Sequence, residues 1–75
     1  MKEKVLSILS DIRPDIEFEN EEGLISDAIL ESFDLIQVIA SLENEFGVEI
    51  GNRNVTTGNF DSLDRIVSLI ESLQK

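Results

Sequence analysis

Apolar positions fall into helical stripes in three stretches of the chain and lose that period between them. Val5, Leu6, Ile8, Leu9 and Ile12 recur near the 3.6-residue helical repeat. They predict a helix over 2–12, ended at or before Arg13 because Pro14 disfavours helical backbone in the residue preceding it. Leu35, Ile39, Leu42 and Phe46 follow a 4-3-4 spacing, with Ile36 and Val38 widening the stripe and Gly47 as a left-handed stop. This second helix starts near Glu31 or Ser32, and Asp34 puts negative charge in its first turn, where the helix dipole favours it. Leu63, Ile66, Val67, Ile70 and Leu73 give the buried face of a last helix, which opens at Asp61 with Asp64 three residues on, a variant of the capping box.

Residues 13–31 have no helical period, yet they hold Ile16, Phe18, Leu24, Ile25, Ile29 and Leu30. A connection this long is uncommon in a small domain. Its apolar content predicts an ordered loop wrapped over the core. Val48 and Ile50 alternate around Glu49 but have no partner strand elsewhere, so they are expected to anchor a loop. Gly51-Asn52-Arg53-Asn54 and Thr56-Thr57-Gly58-Asn59 are turn chemistry, with room for at most a short helix before Phe60. The expected fold is all-α: one domain over residues 1–75, with three main helices, a short extra helix and a long ordered first loop.

Composition narrows the function. The chain has no cysteine and no histidine, which removes disulfides, thiolate metal sites, most zinc sites and most hydrolase triads. A net charge of -10 is the wrong sign for holding nucleic acid. An apolar content of 41% is too high for a disordered acidic tail. No apolar run approaches the roughly 20 residues of a membrane span, and the N-terminus lacks the apolar stretch of a signal peptide, so a cytoplasmic protein is expected. The missing histidine and cysteine make an independent enzyme the weakest reading, and a monomer is expected. Between Arg13 and Arg53 there is no base, while eleven acids occupy the stretch. Such a field costs stability through self-repulsion and speeds encounter with basic partners. One acidic run, Asp15-x-Glu17-x-Glu19, invites comparison with a calcium loop. Asn20 and Ser26 stand where that loop needs Gly at its sixth position and Glu at its twelfth, and no specific metal site is assigned.

Ser32 is the candidate for chemistry. It stands where the long loop meets the acidic second helix, in Ala28-Ile29-Leu30-Glu31-Ser32-Phe33-Asp34. The plain reading is a helix cap. A serine nucleophile of the ordinary kind has no histidine to activate it. A hydroxyl at a helix N-terminus does suit a phosphodiester, because free backbone N–H groups and the positive dipole end favour phosphate there.

The stretch from Asp27 to Ile50 resembles the core of the acyl carrier protein family, whose pattern is Asp-Ser-Leu, an acidic helix ending in Glu-x-Glu-Phe, and a Glu-Ile tail. Here it reads Glu31-Ser32-Phe33, then Glu43-Asn44-Glu45-Phe46, then Val48-Glu49-Ile50. Length, acidity, the long first loop and the segment 59–66 are similar too. The resemblance implies that Ser32 carries 4'-phosphopantetheine, installed by a phosphopantetheinyl transferase, and that its thiol delivers acyl groups as thioesters to partner enzymes. Glu31 departs from the usual aspartate and Phe33 from the usual leucine; neither removes anything the attachment needs. Asp61-Ser62-Leu63 matches the tripeptide letter for letter, but the thirteen residues after Ser62 leave no room for a recognition helix and a closing helix.

The resemblance also implies a docking face on the second helix for the basic patches of loading and acyl-transfer enzymes, made of Glu31, Phe33, Asp34, Gln37, Ala40, Glu43 and Glu45, with Asp34 and Glu43 meeting their arginines and lysines. Two readings of the cargo stand. One is acyl intermediates of fatty-acid or specialised biosynthesis, with Leu35, Ile36, Ile39, Leu42, Ile66 and Ile70 either lining a shelter for the chain or forming plain core. The other is a D-alanyl or aminoacyl carrier loaded by an AMP-forming ligase, to which the approach Asp27-Ala28-Ile29-Leu30-Glu31-Ser32 is the more similar. An unmodified acidic helical adaptor is the remaining alternative.

Overall fold

Val5 and Leu9, one helical turn apart and fully buried, seat the first helix, α1 (Lys2–Ile12). The computed structural model describes residues 1–74. α1 ends as expected: ahead of Pro14, Arg13 leaves the helical region (φ −133°, ψ 81°), and its N–H closes the last turn on the Leu9 carbonyl at 2.9 Å. α2 (Ser32–Phe46) buries Val38 and Leu42 and stops at Gly47, whose φ of 62° a side chain would resist. A short α3 (Thr57–Phe60) is capped by the Thr56 hydroxyl, and α4 (Leu63–Leu73) by the Ser62 hydroxyl, which accepts the Arg65 N–H at 3.2 Å. α1 packs against both α2 and α4, and α3 packs against α4. No helix among the described residues is long and apolar enough to cross a membrane.

The long first connection is ordered. Phe18, in a single 3-10 turn over Phe18–Asn20, is buried with Leu24 and Leu30, while Ile16, Ile25 and Ile29 pack partly buried around them. The Leu30 N–H returns to the Leu24 carbonyl at 2.9 Å. Val48 and Ile50 anchor a loop as expected, with the buried Ile50 giving its N–H to Glu43 Oε2 at 2.9 Å.

Three expectations from the pattern are corrected. The last helix begins at Leu63, capped by Ser62, and does not open at Asp61. Asp61 instead reaches across to the first loop: its Oδ1 accepts the N–H groups of Ile25 and Ser26, both at 2.9 Å, its Oδ2 accepts the Ser26 hydroxyl at 2.6 Å, and its carbonyl accepts the Leu24 N–H at 2.9 Å. Asp64 meets Lys2 of α1 at 3.0 Å. Leu69 belongs to the core, whereas Val67 and Leu73 lie at its edge. Ile36 does not widen the buried stripe of α2; it is 64% exposed. At about 100° per residue it points away from Val38, two positions on.

Asp61 closes the fold over the first loop, and the Ser26 hydroxyl, followed by the Ser26 and Ile25 N–H groups, holds its carboxyl below the usual carboxylate range. A carboxyl depressed in the folded state stabilises above its unfolded pKa of about 4, and the stabilisation is lost as pH falls through the folded value. Asp61→Asn is therefore expected to lower the Tm at pH 7, because the amide cannot accept the Ser26 hydroxyl as a carboxylate does. The gap to wild type should narrow below about pH 4. Paired thermal melts between pH 7 and pH 3 check this; a gap that stays constant contradicts it.

Candidate functional site

Ser32 is the first residue of α2 and is exposed. It does not cap the helix. That work falls to its neighbours: Glu31 is the N-cap residue, and Glu31 and Asp34 form a reciprocal capping box in which Asp34 Oδ2 accepts the Glu31 N–H at 3.2 Å. The Ser32 hydroxyl is thus left at the positive end of a 15-residue helix with no part in holding that end together. Ser62 is the reverse case. Its hydroxyl caps α4, and the polar cleft of about 180 Å³ beside it is lined by Glu19, Glu21, Glu22 and Asp64 with only Lys2 to offset them. That surrounding opposes a phosphate.

Asp34 is the hub of the site. Its carboxylate is almost buried and, besides the Glu31 N–H, takes the Arg13 guanidinium at 2.6 Å from Nη1 to Oδ2. Arg13 also grips Asp15 in a fork, from Nε to Oδ1 at 3.0 Å and from Nη2 to Oδ2 at 2.8 Å. The fork holds the Asp15 carboxyl below its ordinary range, and Asp15 first, then Asp34, raise the arginine's own pKa. Asp15 is thereby committed to Arg13, and the described residues contain no cluster of acids that could hold a metal ion.

The expected acidic docking face divides in two. Glu31, Phe33, Gln37 and Ala40 share the outward side of α2 with Ser32, Gln37 being half-buried there. Asp34 turns inward to Arg13, Glu45 meets Lys4 of α1 at 3.2 Å, and Glu43 is half-buried with one oxygen on the Ile50 N–H. Asp34 therefore leaves the face proposed for a partner's basic residues, and Glu43 and Glu45 carry internal duties. What remains beside Ser32 is apolar at its centre: Phe33 is 71% exposed and Ile36 64%. The sequence does not mark Ile36 as a surface residue, because its spacing to Ile39 fits the apolar stripe as well as the outer face. Of the residues offered as a shelter for an acyl chain, Leu42, Ile66 and Ile70 are wholly buried in the core, Leu35 and Ile39 lie at its edge, and Ile36 is outside.

The approach to Ser32 is held in a tight loop. Gly23 has no side chain because the Asp27 carboxylate occupies the space one would fill. Ala28 sits in the left-handed region with φ 56°, four residues before Ser32.

No family model matches the chain. Curated proteins do. It is 31% identical over 74 residues to D-alanyl carrier protein 1 of Lactiplantibacillus plantarum, an alignment that covers 97% of this chain and 92% of the relative. D-alanyl carrier protein 2 of the same organism is 29% identical over 99% of this chain and 94% of its own length. The D-alanyl carrier protein of Lactobacillus helveticus is 26% identical over 97% and 94% respectively.

Ala28 supplies a test of the local geometry. A side chain in left-handed backbone costs about 1–2 kcal/mol, of which glycine's extra freedom in the unfolded chain offsets about 0.4–1. Ala28→Gly is expected to stabilise the protein by about 0.5–1 kcal/mol in urea unfolding, with an unchanged m-value. Destabilisation would show that the turn before Ser32 does not need that conformation.

Proposed function

The chain belongs to the acyl carrier protein family, alongside the D-alanyl carrier proteins, and from that premise we propose that Ser32 bears 4'-phosphopantetheine and that the protein carries D-alanine. The group supplies a thiol on a long flexible arm, which this cysteine-free chain lacks, and holds the amino acid as a thioester. The observation that carries the assignment to Ser32 is its exposed hydroxyl at the first position of α2, relieved of capping by Glu31 and Asp34. The residues fit the group. Free N–H groups and the dipole at the start of α2 favour the phosphodiester, and the carboxylate of Asp34 is almost buried and paired with Arg13, which leaves Glu31 as the exposed acid beside the serine.

In the transfer from coenzyme A, Ser32 Oγ attacks the phosphorus bonded to the pantetheine arm, the new O–P bond forms as the phosphoanhydride P–O bond of coenzyme A breaks, and 3',5'-ADP leaves with the oxygen of that bond. The proton goes to a base of the transferase, since the carrier has no histidine. The carrier's own residues provide position and recognition and no catalysis. Phe33 and Ile36 form an apolar contact beside the attachment point, with Glu31 at its margin for a partner's basic residue. A small exposed apolar centre with charge beside it suits short encounters with a transferase, an AMP-forming ligase and an acceptor enzyme in turn. The use of coenzyme A and ATP supports a cytoplasmic setting for these reactions. A D-alanyl cargo also needs no internal shelter, which accords with Leu42, Ile66 and Ile70 being packed as core.

The phosphopantetheinylated protein, incubated with ATP, D-alanine and a D-alanine-activating ligase of the AMP-forming class, is expected to gain one D-alanyl group by intact mass. Hydroxylamine should remove it, and Ser32→Ala should gain none. Stoichiometric loading with a long-chain fatty acid by an acyl ligase, and none with D-alanine, would overturn the cargo assignment.

A further inference from the structure

Arg13 lies nineteen positions before Ser32, at the far end of a long loop, and a side-chain to side-chain hydrogen bond joins it to the first turn of α2. It is the one base between Lys4 and Arg53. Pro14 ends α1 there, and the guanidinium, three-quarters shielded from solvent, bridges two carboxylates with Nε, Nη1 and Nη2 all engaged. The oxygen of Asp34 that takes Nη1 at 2.6 Å is the same oxygen that takes the Glu31 N–H at 3.2 Å. A continuous line of contacts thus runs from Asp15 through Arg13 and Asp34 to the residue immediately before Ser32.

We infer that Arg13 is a positioning residue for the modification of Ser32, which fixes the first turn of α2 through Asp34. The inference rests on Ser32 being the attachment site. Its physical basis is the partly buried charge of Asp34, whose side chain is 13% exposed. Without Arg13 that carboxylate regains hydration only by moving outward, and the bond it makes to the Glu31 N–H moves with it. The Ser32 hydroxyl then shifts relative to a transferase docked on Phe33 and Ile36. Arginine is suited to this because its planar fork holds Asp15 and Asp34 at once, whereas a lysine ammonium on a flexible stem cannot present the same geometry to both. The pair also hides Asp34 from the arginines of partners, so that Glu31 is the acid they meet.

The test uses steady-state transfer of phosphopantetheine from coenzyme A, with carrier concentration varied, on full-length variants shown by thermal melting to be folded at the assay temperature. Arg13→Ala is expected to lower kcat about tenfold, with KM within about twofold, since displacement of a reacting group by about an ångström can cost up to about a hundredfold. Arg13→Lys should recover less than half of the loss. Asp34→Asn should resemble Arg13→Ala, and the double variant should be no worse than either, because both remove one interaction. Lys2→Ala makes the same change in net charge by breaking the exposed pair with Asp64, and should leave both constants unchanged. Amide hydrogen exchange supplies a readout independent of the transferase: the N–H groups of Glu31, Asp34 and Leu35, which are bonded within this turn, should exchange faster in Arg13→Ala while those of α4 do not. An unchanged kcat in folded Arg13→Ala, additive effects in the double variant, or unaltered exchange in the first turn of α2 would each overturn the inference. Failure of the wild type itself to be modified would strike at the Ser32 assignment, and the exchange data would then decide alone whether Arg13 holds the turn.

Discussion

The carboxylate of Asp34 is the constraint on which the functional end of this molecule depends. One of its oxygens ties α1 to α2 through Arg13 and at the same time caps the helix that begins at Ser32. A capping box made by Glu31 and Asp34 moves the structural work of the helix start onto the residues either side of the serine and its phenylalanine. The hydroxyl is free for chemistry because its neighbours do what a serine at a helix start ordinarily does. Ser62, which carries the better match to the family tripeptide, shows the contrast: there the hydroxyl is the cap.

The same logic runs through the rest of the acidic surface. A net charge of -10 suggests a uniformly negative molecule, yet several of the acids in or near the base-free stretch have particular internal partners. Asp15 and Asp34 share Arg13, Glu43 holds the Ile50 N–H, Glu45 meets Lys4, and Asp61 closes the first loop onto the junction of α3 and α4. What they leave beside Ser32 is an apolar centre of Phe33 and Ile36. On the proposed reading, recognition by partners draws on shape and apolar contact near the serine, with steering from the charge of the whole.

The helices were legible because each buried face repeats and each end carries a stop, Pro14 for α1 and Gly47 for α2. The order in the first loop was legible from its apolar residues alone. The Asp61 clamp was not, since its partners Ile25 and Ser26 stand 36 and 35 residues away and an aspartate before a helix reads equally well as that helix's cap. Asp34 was placed in the right turn, but periodicity does not say that an acid on the Val38 and Leu42 side has an arginine waiting for it. Ile36 shows the opposite ambiguity: an apolar residue that completes a stripe on paper and stands in water in the fold. The place of Ser32 at the start of α2 was legible from the junction of loop and helix, while its freedom from capping is a property of the three-dimensional arrangement.

The most direct test of Ser32 as the attachment point is the intact mass of wild type, Ser32→Ala and Ser62→Ala after incubation with coenzyme A and a broad-specificity phosphopantetheinyl transferase. One added phosphopantetheine unit is expected on wild type and on Ser62→Ala, and none on Ser32→Ala. A unit retained by Ser32→Ala, or no unit on the wild type with two unrelated transferases, would contradict it.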